Sequence, residues 1–161
     1  MSLKAALAVM MGFALAAAAP AVAQSSAALP VDDRASQVMT PSEVAMKWDS
    51  LVPGPGRSDR ITGQVLILVR LDVSSWQGRQ GRIYQRLAPQ PGSPVVAHWT
   101  SQGPLLPGSV RDGERTLVYS GILLSPRMED TFRMTLEADG GRVVRPQNLD
   151  FSFEIELESA P

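Results

Sequence analysis

From Ile61 onward, apolar and polar side chains alternate along the chain in a period of two. Ile61, Gly63, Val65, Ile67, Val69, Leu71 and Val73 fall on one side of an extended strand, and Thr62, Gln64, Leu66, Leu68, Arg70 and Asp72 on the other. That is the pattern of a sheet buried on one face. The middle of the second face is apolar as well, so this segment is expected to be a long central strand. Thr131 to Ala138 alternates in the same way, with Phe132, Met134, Leu136 and Ala138 inward. The last stretch sets Leu149, Phe151, Phe153, Ile155 and Leu157 against Asp150, Ser152, Glu154, Glu156 and Glu158. Shorter strands are expected at Arg82–Leu87, Val95–Thr100 and Thr116–Leu124, which are rich in β-branched and aromatic residues. Turn residues punctuate them, including Gly103-Pro104, Pro107-Gly108, Asp112-Gly113 and Ser125-Pro126. Asp139-Gly140 carries the signal of a tight hairpin, because both residues tolerate positive φ.

The N-terminal third is different. Lys4 followed by an apolar run to Ala19, Pro20 and the small-x-small Ala21-Val22-Ala23 reads as a cleavable signal peptide over residues 1–23. The run is shorter than the roughly twenty residues a membrane-spanning helix needs, and no basic stop-transfer cluster follows it. Residues 24–39 lack a hydrophobic period and are expected to be a flexible lead-in. Thr40-Pro41-Ser42-Glu43 forms a capping box, and Val44, Trp48 and Leu51 follow at spacings of four and three. A short helix is therefore expected there, a candidate docking element on the Pro53-Gly54-Pro55-Gly56 linker. The expected architecture is all-β: an antiparallel, immunoglobulin-like β-sandwich of about seven to eight strands over residues 57–161, preceded by that helix within residues 40–56.

Composition narrows the function classes. The chain has no cysteine, which removes disulfides, thiolate metal sites and thiol nucleophiles. Beyond residue 23 it carries 14 basic and 16 acidic residues, a balance that argues against nucleic acid or an anionic membrane as partner. The Ala-rich leader and the preference for arginine over lysine suggest a bacterial, periplasmic or secreted protein.

Chemistry-bearing motifs are sparse. His98 is the only histidine, too few for a zinc site, and no Gly-x-Ser-x-Gly nucleophile elbow occurs. Glu129 and Asp130 are adjacent and should point to opposite faces of a strand. Asp150, Glu154, Glu156 and Glu158 share a face, expected to be solvated and paired with Arg133 or Arg142. No cofactor is expected. The richest segment runs from Trp76 to Arg86. Gly78 and Gly81 allow a sharp loop, after which Arg82, Tyr84 and Arg86 project from one side of a strand. That guanidinium–aromatic–guanidinium row, with Trp76, is the candidate binding surface. The expected role is non-catalytic, through contact with another extracytoplasmic protein, for example in a secretion, adhesion or surface-fibre system. The alternative is a carbohydrate-binding module using Trp76, Tyr84 and Trp99.

Overall fold

The computed structural model describes residues 27–39, 44–49, 59–142 and 149–158; the expected signal peptide and Leu51 lie outside them. More than half of the described residues are strand, and the rest are turns and connections apart from one short helical turn. Three two-residue strands come first: β1 (Leu29–Pro30), β2 (Gln37–Val38) and β3 (Lys47–Trp48). Seven longer ones follow: β4 (Arg60–Asp72), β5 (Gln80–Leu87), β6 (Val95–Ser101), β7 (Gly108–Arg111), β8 (Arg115–Ile122), β9 (Arg127–Asp139) and β10 (Phe151–Leu157). A single 3-10 turn at Ser74–Trp76 interrupts them.

These strands build two antiparallel sheets. One has the order β1-β10-β5-β8; the other runs β2-β4-β9-β6-β7, with β3 also paired to β4. The β4–β9 ladder spans thirteen residue pairs, from Arg60 opposite Asp139 to Asp72 opposite Arg127. With every second side chain turned inward, the buried residues of both sheets meet in one core. Val65, Val69, Leu71, Phe132 and Met134 come from the larger sheet, and Ile83, Leu87, Val118, Phe153 and Ile155 from the smaller. Trp99 stacks on Phe132 with ring centroids 5.7 Å apart and donates from Nε1 to the Leu106 carbonyl at 3.0 Å. Burying such an aromatic pair contributes about 0.5–1.5 kcal/mol beyond its area.

Four expectations are corrected. Residues 44–49, expected on a helix, are extended, and Lys47 and Trp48 pair with Thr62 and Ile61. Two glycines make the room: a Cβ on Gly63 would lie 2.6 Å from Val44 Cγ1 and Met46 Sδ, and one on Gly140 would lie 2.5 Å from Trp48 Cη2. Residues 27–39, expected as a flexible lead-in, are tied to both sheets through β1 and β2. Ser36 Oγ accepts from Arg70 N–H at 2.8 Å and donates to the Arg70 carbonyl, standing in for a strand partner. β4 consequently has a full-length neighbour on one side and short pairs on the other, rather than a central place. Finally, Asp139-Gly140 closes no hairpin: β9 and β10 belong to different sheets. Between β4 and β10, only β6 and β7 are consecutive strands paired in one sheet, and the other turns carry the chain across the sandwich.

The loop between β6 and β7 is held by one buried carboxylate. Asp130 is buried on β9 while its neighbour Glu129 is exposed, as the alternation requires. Asp130 Oδ2 accepts from Ser101 Oγ at 2.7 Å and Leu105 N–H at 2.8 Å, and Oδ1 accepts from Gln102 N–H at 3.1 Å. A Cβ on Gly103 would sit 2.9 Å from the Asp130 carboxyl carbon, so the loop closes directly over the acid. Asp130→Ala leaves these donors without their partner and should destabilise the fold by about 3 kcal/mol in urea unfolding. The amides of Gln102 and Leu105 should lose hydrogen-exchange protection in the same variant; unchanged stability would contradict the anchoring role.

Candidate functional site

Strand β5 presents Arg82, Tyr84 and Arg86 on its outer side, as the alternation predicts, because Gly81, Ile83, Gln85 and Leu87 turn inward. Gly78, at φ +82°, takes the left-handed conformation that lets the preceding loop turn into β5. The partner strands then decide what this row can do. β10 lies alongside β5 with Ser152 opposite Arg86, Glu154 opposite Tyr84 and Glu156 opposite Arg82. The acidic side of β10 is therefore neutralised by the arginine row itself, and not by Arg133 or Arg142. Arg86 Nη1 donates to Glu154 at 3.1 Å, and Arg82 Nε stands 3.5 Å from Glu158.

Arg115, from β8 on the far side of β5, completes the arrangement. Its guanidinium carbon lies 4.4 Å from the centroid of the Tyr84 ring, a cation–π contact. Its Nη2 donates to Glu156 at 2.6 Å, and its Nη1 stands 3.7 Å from Glu154. The hydrogen bond from Arg115 holds the Glu156 carboxyl below the ordinary glutamate range, with the surrounding positive charge adding to it, and the same bond pushes the Arg115 guanidinium up. Three arginines and three glutamates thus form a charge lattice around Tyr84. An anion approaching the arginines would have to displace carboxylates, and a sugar stacking on Tyr84 would have to displace Arg115 from its face. The shallow depression nearby, lined by Arg86, Gly113, Glu114, Arg115 and Glu154, belongs to the same lattice.

The aromatic residues proposed for a sugar platform are dispersed. Trp99 is buried in the core, Trp76 packs partly against it, and Tyr84 carries Arg115 over its ring in the smaller sheet. Of the expected docking stripe, Val44 packs against the core above Gly63 and Trp48 is its exposed member. His98 is exposed on β6, with Nε2 3.8 Å from Glu137. Among the described residues no group of three or more His, Cys, Asp or Glu side chains is placed to hold a metal ion, and no helix is long and apolar enough to cross a membrane.

Exposed apolar side chains gather elsewhere. Ile122 and Leu124, at the end of β8, are 50% and 81% exposed. β8 is the terminal strand of its sheet. Alternation places these residues on one side of the extended chain, but which strand would be an edge depends on partners far away in sequence. No family model, curated protein or solved structure matches this chain.

The lattice makes a pH-dependent prediction. A glutamate held below its ordinary value of 4.5 contributes stability that is complete above that value and is lost as pH falls through the lower folded value. In Arg115→Ala, the Glu156 titration, followed by carboxyl carbon NMR, should move up towards 4.5. An unmoved titration would show that Arg115 does not set it.

Proposed function

We propose that this chain is an exported, non-catalytic β-sandwich module that works by contact with another extracytoplasmic protein. It would serve as an accessory or structural component of a bacterial secretion, adhesion or surface-fibre system. The fold is read as immunoglobulin-like, which is supported by seven strands of four or more residues that pass repeatedly between two antiparallel sheets. Export rests on the leader pattern of residues 1–23.

The observation that carries the reading is the apolar end of β8. Its sheet partner β5 lies on one side only, and Ile122 and Leu124 project into water. Two of the other sheet edges are blunted. β1 is two residues long and contains Pro30, and the outer edge of β4 is occupied by β2, β3 and Ser36. Large aliphatic side chains projecting from a strand end suit side-chain contact with a partner surface, and burying each contributes about 1.5–3 kcal/mol; the carbonyls of Val118, Ile122 and Leu124 already accept from Leu106 N–H, Tyr119 O–H and Gln77 Nε2. The carbohydrate alternative has weaker support, since Trp99 is in the core and Tyr84 is covered by Arg115.

Site-specific photo-crosslinking in cells that export the chain tests this reading. A crosslinker at position 124 should yield one discrete protein adduct, and one at exposed Glu129 on β9 should not. Absence of an adduct at 124, or the same adducts from both positions, would contradict it.

A further inference from the structure

Ile122 and Leu124 stand in water on a backbone that is tied down at every step. Leu123 N–H donates to the Arg79 carbonyl at 2.9 Å, and the Leu123 carbonyl accepts from Gly78 N–H at 2.8 Å. The Ile122 carbonyl accepts from Tyr119 Oη at 2.8 Å and the Leu124 carbonyl from Gln77 Nε2 at 3.2 Å. Val73 N–H closes the far end on the Pro126 carbonyl. Leu123 itself is buried, so it anchors the segment while its two neighbours turn outward. Aliphatic side chains on a fixed backbone forgo burial in the free protein, and ordering them against a partner costs little conformational entropy.

The two segments that build this end contain no acid. Residues 73–82 and 115–127 hold Arg79, Arg82, Arg115 and Arg127 and no aspartate or glutamate. Three of these arginines have acidic company from other strands: Arg82 stands 3.5 Å from Glu158, Arg115 donates to Glu156, and Arg127 lies opposite Asp72 in the β4–β9 ladder. Arg79 is exposed, and among the described residues no carboxylate lies within ion-pair distance of it. Its backbone is the one bonded to Leu123, which places Arg79 directly across from the pair Ile122 and Leu124.

We infer that the partner met by the end of β8 presents an apolar pocket bordered by a carboxylate, with Ile122 and Leu124 entering the pocket and Arg79 pairing with the acid. The inference rests on the protein-contact reading above and names the chemistry of that partner. An apolar centre with complementary charge at its rim is how protein interfaces raise their association rate and choose between partners. An anionic bilayer also offers negative charge. Two aliphatic side chains and one uncompensated cation, however, fall short of the apolar area and basic patch that hold a protein on a membrane, and beyond residue 23 acidic residues outnumber basic ones.

Photo-crosslinking from position 124, in cells that export the chain, separates this inference from the reading beneath it. Arg79→Glu should lower the adduct yield at least about fivefold, because an attraction at the rim becomes a repulsion. Arg79→Lys should keep most of the yield, and Arg133→Glu, at an exposed arginine on the outer side of the larger sheet, should leave it unchanged. Mass spectrometry of the adduct should place the crosslink among apolar residues beside an aspartate or glutamate of the partner. Changing that acid to arginine should restore the adduct of Arg79→Glu. An adduct undiminished by Arg79→Glu, or equally diminished by Arg133→Glu, would overturn the inference alone. No adduct in the unaltered chain would overturn the protein-contact reading and the inference with it. Flotation of the purified exported chain with vesicles of phosphatidylglycerol and phosphatidylethanolamine, lost in Leu124→Asp, would assign this end to a membrane and overturn both.

Discussion

The thirteen-pair ladder between β4 and β9 is the constraint on which the rest of the molecule depends. Because the side-chain period of a strand is two, this one register sends Val65, Val69, Phe132 and Met134 inward together. A slip of one residue would turn those side chains to water and bring Arg133, Thr135 and Glu137 into the core. Everything laid on the ladder inherits its phase. β6 places Trp99 beside Met134, the stack on Phe132 follows, and Asp130 arrives under the loop it anchors. On the other side of β4, Val44 and Met46 rest in the recess left by Gly63.

The long alternating stretches were legible because their faces differ so sharply in polarity. β4, β10 and most of β9 fall where the pattern places them. The start of β9 was hidden by Asp130, a polar residue at an inward position that finds its donors in a distant loop. The helix expected at 40–51 rested on a capping box and on Val44 and Trp48, whose spacing of four fits both a helix turn and a strand. Met46 distinguishes the two, since 44, 46 and 48 share a face only in an extended chain, and Met46 does pack against the core beside Val44. The hairpin signal at Asp139-Gly140 described a turn correctly but not its destination. Which sheet the next strand joins is settled by packing across the sandwich, not by the turn residues.

The site shows the same division between local and distant information. That Arg82, Tyr84 and Arg86 share a side, and that Glu154, Glu156 and Glu158 do, follows from local alternation. That the two rows face each other follows from pairing between strands some seventy residues apart, which no local pattern specifies. Pairing converts what looked like a basic binding row and an acidic face into one neutral lattice around Tyr84. Gln85, between Tyr84 and Arg86, turns inward with Ile83 and Leu87 and is buried, so the polar row of β5 is confined to its outer side. Exposed ion pairs of the lattice contribute under about 1 kcal/mol each, so its effect is to hold Tyr84 and fix the pairing of β5 with β10 rather than to dominate stability.

The charge lattice around Tyr84 and the apolar end of β8 lie off the ladder, on the smaller sheet packed against it, and their positions depend on the ladder keeping its register. Cross-strand nuclear Overhauser contacts measure that register directly. The account predicts contacts that place Gly63 opposite Leu136, Val65 opposite Met134 and Ile67 opposite Phe132. Contacts displaced by one residue, or none between these strands, would contradict it.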